Sequence, residues 1–209
     1  IEIIPSALAL HYGQSVFEGL KAYRGLTDNR IRLFRPHSNA QRLSNSCKRL
    51  CIPCVDPDTF INAIRELISI DSDWVPQGPD RSLYIRPLLF GSEGTLAVRA
   101  AATYRFIIMT SPVQEYFDRQ GHGIYLKAED RFTRASPGGT GGAKTAGNYA
   151  ATLQPMSDSA SAGFDQILWL DGVEHRYVEE AGQMNIFFHL GDTIVTPDLS
   201  GTILPGITR

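Results

Sequence analysis

The sequence has no run of about eighteen apolar residues, so no segment of it reads as a membrane-spanning helix. It has no surplus of charge of either sign: 20 Lys and Arg stand against 22 Asp and Glu, a net charge of −2. A nucleic acid or an anionic membrane as partner calls for a basic excess, and none is present. Cysteine is scarce. The three cysteines, Cys47, Cys51 and Cys54, are odd in number and local, a poor disulfide framework, which makes a reducing cytoplasm the expected compartment. The apolar stretch Ile1 to Leu10 lacks a basic leader and a small-residue cleavage site. Met is missing at position 1 and the chain stops abruptly after Arg209, so a piece of a longer protein is expected. No repeat or low-complexity tract occurs. What is there is ordinary: 209 residues, 43% hydrophobic and 20% charged, enough for one large or two small domains.

Periodicity places the elements. Ile31 to Phe34 reads as a short strand ending at Arg35-Pro36. Leu43, Cys47 and Leu50 recur at helical spacing opposite Lys48 and Arg49. Asp56 or Asp58 caps a second helix with its stripe through Phe60, Ile61, Ile64, Leu67 and Ile68. Ser82 to Phe90 alternates like a strand, and Thr103 to Thr110 is apolar enough for a buried one, punctuated by Ser111-Pro112. No periodicity follows until about Gly123, the best linker candidate. Beyond it come a β-like run to Ala128, a Gly-rich stretch from Gly138 to Gly142, and a buried strand from Gln166 to Leu170. Asp171-Gly172 reads as a hairpin turn, with Tyr177 to Val178 and Met184 to His189 continuing the sheet. Gly191-Asp192 makes another turn before a strand from Thr193 to Thr196. Helices concentrate in the middle of the first half and strands dominate the second, the pattern of an α+β chain with two domains.

Three stretches carry chemistry. In Gly138 to Ala150, Lys144 stands among Gly and Ala with no carboxylate nearby. Small neighbours leave room for a bulky group on the amine, and burial without a partner favours the neutral nucleophile. The plainer reading is a solvated lysine in a flexible loop, and the Walker spacing fails. In Val178 to Phe187, Glu179 and Glu180 precede Gly182 and an apolar strand. A carboxylate entering a buried sheet needs a cationic partner, while a turn whose acids face water needs none. In Gly201 to Arg209, a Pro-Gly turn before Ile207-Thr208 looks like the opening of a helix, whose free N–H groups suit a phosphate. Arg42, beside Leu43 on its helix, either turns inward toward an anion or stays at the surface.

Taken in order, LHYGQSVFEGLKAYRG (Leu10 to Gly25), IRLFRPHSNAQRL, LYIRPLLFGSEGTLAV, GGAKTAGNYAA, QILWLDG, EEAGQMNIFF and ILPGITR resemble the branched-chain aminotransferases, class IV enzymes that use pyridoxal phosphate (PLP). The ordered set is far more specific than any one block. The resemblance implies a small α/β domain over 1–113, a linker over 114–122 and a larger, mainly β PLP domain over 123–209, here incomplete. It makes Lys144 the residue that bonds the cofactor and Tyr149 the partner of its phenolic oxygen. Glu180 pairs with the pyridine nitrogen, and is preferred to Glu179 because it stands two residues before Gly182. Arg42, Ile207 and Thr208 fall on the phosphate, and Arg134 on the cofactor side. Tyr12, Phe17, Tyr84, Arg86 and Gln183 fall on the substrate, with Arg86 meeting the distal carboxylate of glutamate. The implied reaction is transamination between leucine, isoleucine or valine and 2-oxoglutarate, giving 2-oxo acids and L-glutamate, in a homodimer or higher oligomer. D-amino-acid aminotransferase and aminodeoxychorismate lyase share the lysine and glutamate, but FEGLKAYRG and YIRPLLFG fit the branched-chain group better. Two other classes compete: an inactive truncated chain keeping a dimer interface, and an iron–sulfur protein on Cys47-x3-Cys51-x2-Cys54. Against the cluster, Cys47 falls on an apolar helical face, where cysteine acts as a small hydrophobe.

Overall fold

The structure, a computed structural model, describes residues 1–114 and 123–209. The chain divides into two compact units, Ile1–Asp118 and Arg119–Arg209. Apart from Gln114, the linker expected over 114–122 lies outside the described residues.

In the first unit a short helix, α1 (Leu8–Tyr12), leads into β1 (Ser15–Phe17), β2 (Leu20–Arg24) and β3 (Ile31–Leu33). Helices α2 (Pro36–Arg49) and α3 (Pro57–Ile70) follow, then the long strands β4 (Ser82–Gly91) and β5 (Tyr104–Val113). The five strands form one antiparallel sheet. One edge of β4 is shared end to end: β1 pairs with Leu88 to Phe90 and β2 with Leu83 to Ile85. Glu18 and Gly19 bridge the gap between them, with Glu18 N–H donating to Pro87 O at 2.8 Å. Alternation sends Leu83, Ile85 and Leu89 of β4 into the core with Val16, Leu20 and Ala22. Against them pack Ala40, Leu43 and Cys47 of α2 and Phe60, Ile61, Ile64 and Ile68 of α3, each worth about 1.5–3 kcal/mol for a large apolar side chain. Of the two capping candidates Asp56 is the N-cap, accepting from Thr59 N at 3.0 Å, with Pro57 in the first turn where its missing N–H costs nothing.

The expectation of a buried strand at 103–110 is corrected. β5 is half-buried to exposed along its length, and it pairs only with β4 among the described residues. An apolar run signals β propensity as well as burial, and here it sits on a sheet edge. Ser111-Pro112 does not punctuate it: Pro112 lies in the ladder opposite Leu83, a position an edge strand tolerates.

The second unit holds β6 (Leu126–Glu129), α4 (Ala146–Ala150), α5 (Leu153–Ser161), β7 (Gln166–Leu170), β8 (Val178–Ala181) and β9 (Met184–Asn185) in chain order. A separate hairpin, β10 (Phe188–Leu190) and β11 (Thr193–Val195), completes it. The sheet order is β6-β7-β8-β9, with β6 parallel to β7 and the other pairs antiparallel. Parallel neighbours need a long crossover, and here it contains the Gly-rich stretch, Lys144, α4 and α5. Ile167 and the fully buried Trp169 anchor β7, the latter donating to Gly182 O at 3.0 Å.

Two further expectations are corrected. The β7–β8 connection is wider than a two-residue turn: Asp171 accepts from the backbone N–H groups of Val173, Glu174, Arg176 and Tyr177, which folds the loop around its carboxylate and holds that carboxyl well below the usual range. Met184 to His189 does not continue one sheet, because Phe188 and His189 belong to the separate hairpin. Residues 207–209 lie in no helix or strand of this chain. No helix among the described residues is long and apolar enough to cross a membrane.

Candidate active site

Lys144 leaves the crossover loop just before α4. Its placement is fixed by Asn148, a buried residue of that helix. The Asn148 amide donates to Thr140 O and Ala143 O, both at 2.8 Å, and its carbonyl accepts from the Thr140 hydroxyl at 2.6 Å. Every polar atom of the side chain is thus used to fasten the glycine loop to the helix. Gly141 is there because the loop runs against backbone: a Cβ would lie 2.6 Å from Thr202 Cα. From this base Lys144 Nζ donates to the Tyr149 hydroxyl at 2.8 Å and lies 5.2 Å from its ring centroid.

Glu180 sits on β8, 3% exposed. Its Oε1 accepts from Asn185 Nδ2 at 3.0 Å and Leu204 N at 3.1 Å. Its Oε2 lies 2.5 Å from Arg134 Nε, off the N–H direction, so this is a charge contact rather than a hydrogen bond. Arg134, 8% exposed, donates through Nη2 to Thr202 O at 2.7 Å and Gly141 O at 3.2 Å. Burial pushes the Glu180 carboxyl up to about 7, against the pull of Arg134 and the Leu204 N–H. Glu179 is also buried; it accepts from the Thr202 hydroxyl, and burial raises its carboxyl too. The two acids differ in aim: Glu180 lines a narrow cleft with Arg134, Asn148, Tyr149, Gln183 and Leu204, and Glu179 does not.

Of the residues singled out in the sequence, the second unit therefore brings together Lys144 with Tyr149, and Arg134 with Glu180, and Gln183 lines the same cleft. Ile207 and Thr208 follow Leu204, whose N–H binds Glu180, after Pro205 and Gly206. In the first unit Phe17, Tyr84 and Arg86 cluster on the sheet face opposite the core. The Arg86 guanidinium stands over both rings, 4.6 Å from the Phe17 centroid and 5.2 Å from that of Tyr84, and donates to the Tyr84 hydroxyl at 2.8 Å. Gly19 leaves the space that this hydroxyl occupies. Tyr12 is tied elsewhere, its hydroxyl donating to Leu96 O at 2.5 Å. Arg42 is held in a bidentate pair with the fully buried Glu18, at 2.8 and 2.9 Å. Asn39 donates to the same carboxylate at 2.7 Å.

Sequence reasoning missed Glu18, Asn148, Asn185 and Thr202. Glu18, Asn148 and Asn185 lie inside blocks that carried the resemblance and Thr202 directly before one, yet a polar residue bound to backbone or to another side chain has no periodic signal. The cysteines do not form a ligand set. Cys47 is buried and its thiol is pushed up by burial and by Cys54 beside it, while Cys51 and Cys54 are exposed. Among the described residues no group of His, Cys, Asp and Glu could hold a metal ion.

Residues 15–209 match the family model of the class IV amino-transferases. Branched-chain-amino-acid aminotransferase 2 of Bacillus subtilis (strain 168) is 48% identical over 205 residues, covering 98% of this chain and 56% of its own length. The branched-chain-amino-acid aminotransferase of Mycolicibacterium smegmatis is 48% identical over 214 residues, covering 100% of this chain and 58% of its own. Among solved structures, the Escherichia coli branched-chain amino acid aminotransferase superposes with a TM-score of 0.84 at 28% identity, over 100% of this chain and 66% of its own. The T.th. branched-chain amino acid aminotransferase complexed with N-(5'-phosphopyridoxyl)-L-glutamate gives 0.79 at 30% identity, over 99% and 64%. The chain thus spans little more than half the length of these curated relatives, 56–58%. With that coverage, and an α+β fold carrying the lysine, tyrosine and buried glutamate in one unit, the chain belongs to the class IV aminotransferase family.

Proposed function

We propose that the protein containing this chain is a PLP-dependent branched-chain-amino-acid aminotransferase, moving the amino group of leucine, isoleucine or valine to 2-oxoglutarate. The observation that carries the reading is the Lys144 amine on the Tyr149 hydroxyl at 2.8 Å, Tyr149 sharing its cleft with the buried Glu180. These donors fit the cofactor: an amine for its aldehyde, a phenol beside that amine, and a buried acid pushed up to about 7 that ionises when a cationic N–H faces it. When bound, the cofactor supplies an electron sink for the carbanion left by the substrate α-proton.

The chain's own residues do the rest. With the cofactor bound, Lys144 would take that proton from the substrate Cα as general base and hold it on its amine for return as general acid. Tyr149 orients the amine. Glu180 keeps the proton on the ring nitrogen, and Arg134 holds Glu180 in the wall. Arg42, Ile207 and Thr208 serve the phosphate. Phe17 and Tyr84 give apolar walls, and Arg86, its cation resting on both rings, serves an apolar side chain in one half-reaction and the second carboxylate of 2-oxoglutarate in the other. Gln183, which lines the Glu180 cleft, and Tyr12, through its ring, are the further substrate-side residues of this reading. The printed names of the relatives support the substrate class. A division at 114–122, a homodimer or higher oligomer and a cytoplasmic location, which suits three free cysteines, belong to the same reading.

The test is the visible spectrum of the purified protein with PLP, before and after L-leucine, beside Lys144→Ala. A band near that of a lysine-bound cofactor, shifting with leucine and missing in the variant, is the expected result. A folded protein with no band, or one that responds to D-alanine and not to L-leucine, refutes it.

A further inference from the structure

We infer that Asn185 is a positioning residue that locks the acid at the ring-nitrogen end of the cofactor to the segment at its phosphate end; the inference rests on the function proposed above. The β8–β9 hairpin puts Asn185 directly opposite Glu180 in register, across the tight Gly182-Gln183 turn with Gly182 at φ +58°. From there its single amide group donates twice, to Glu180 Oε1 at 3.0 Å and to Leu204 O at 3.0 Å. Leu204 N–H returns to the same Glu180 oxygen at 3.1 Å. The three groups close a ring in which Asn185 supplies two of the three donors.

A second observation points the same way. Gly206, two residues past Leu204, sits so close to the Asn185 side-chain carbonyl that a Cβ there would overlap it. The segment is therefore shaped around this amide, and it continues without a break into Ile207 and Thr208. Neither a carboxylate nor an alkyl side chain replaces Asn185. Aspartate turns both donors into acceptors facing Glu180 Oε1 and Leu204 O. Alanine leaves Glu180 Oε1 with the Leu204 N–H and leaves Leu204 O without its donor. Asn185 touches neither the Lys144 amine nor the Tyr149 hydroxyl in any bond described here, so its effect is on placement.

The experiment measures PLP dissociation constants by fluorescence quenching between pH 5.5 and 8, on the parent, Asn185→Ala, Asn185→Asp and Gly206→Ala. Unfolding of each apo protein is followed in parallel. Both Asn185 variants are expected to bind PLP on the order of 10- to 100-fold more weakly at pH 8, the size of a lost hydrogen bond to a charged group. Asn185→Asp is expected to recover part of that loss as pH falls, because its protonated carboxyl donates again. The parent has no such donor to regain. Gly206→Ala, which deletes no partner of Glu180, is expected to weaken binding by pressing on the amide, and to move the phosphorus resonance of bound PLP. If the variants bind within twofold of the parent, the inference is wrong. If Asn185→Asp loses apo stability and shows no recovery at low pH, Asn185 serves folding and the inference is equally wrong. A parent that forms no band with PLP overturns the proposed function and this inference with it; a parent that does, beside indifferent variants, overturns this inference alone.

Discussion

Replacing Glu180 by Gln tests the burial argument through pH. In the folded protein without cofactor the Glu180 carboxyl is pushed up from 4.5 to about 7, mainly by burial. The folded chain thus holds that proton more tightly than the unfolded chain. The stabilisation is full below the unfolded value and is lost as pH rises through the folded one. Over pH 5 to 7.5 such a shift corresponds to a loss of about 2 kcal/mol. The carboxyls that move down, those of Asp28, Glu93, Glu129 and Asp171, titrate below their ordinary values and leave this window alone. Glu179, raised by its own burial, adds a smaller loss of the same sign. The assay is urea unfolding of the apo protein in a Trp74→Phe background, so that the fully buried Trp169 reports on the second unit. The parent should lose stability from pH 5 to 7.5, and Glu180→Gln should remove most of that slope. The slope decides the matter rather than the level, because Gln turns an amide toward Arg134 and lowers stability at every pH. Equal slopes in the two proteins would refute the claim that Glu180 is buried and reluctant to ionise.

Glu18→Ala removes the buried carboxylate that Arg42, whose side chain is 11% exposed, and Asn39 share. A loss of about 3–5 kcal/mol is expected in denaturant titration of the first unit, with weaker PLP binding if Arg42 serves the phosphate. Gly141→Ala brings a methyl group against the Thr202 backbone, so the loop must shift and carry Lys144 with it. The variant should keep its far-ultraviolet circular dichroism and lose most of its cofactor band; an undiminished band would show that the loop does not fix the lysine.

The legible part of the sequence was the part written in periodicity or in blocks. The stripe from Phe60 to Ile68 forecast α3 and its buried face, and of the two candidate caps, Asp56 and Asp58, the structure uses Asp56. The alternation of Ser82 to Phe90 forecast β4, whose two faces became the core and the Phe17–Tyr84–Arg86 cluster. What failed was depth. Tyr104 to Val113 is as apolar as a central strand, but the number of strands pairing with it is set by distant chain. The β7–β8 turn failed for a related reason: one carboxylate collecting four N–H groups outweighed the local preference of Asp-Gly. At the site, the blocks named Lys144, Tyr149 and Glu180, but not the amides of Asn148 and Asn185. Those amides bond mainly to backbone carbonyls, and no spacing rule forecasts which carbonyl a folded loop will present.

The charge balance of the second unit explains why its wall is built this way. Glu179 and Glu180 are both buried, with Arg134 as the cation in contact. Arg134 cannot swing out to serve a ligand freely, because its Nη2 is bonded to the carbonyls of Gly141 and Thr202. Lys144 adds a weaker pull on Glu180. The wall therefore has more acid than close cation can neutralise, and burial makes both carboxyls reluctant to ionise. A ligand that presents a cationic N–H to Glu180 relieves that excess, whereas a neutral ring of the same shape leaves the burial penalty in place. The selectivity is for the protonation state of the ligand and not only for its outline. In the function proposed above, with Glu180 facing the ring nitrogen, that is the state in which a pyridine ring withdraws electrons most strongly, so the feature that would bind the ring would also prepare it.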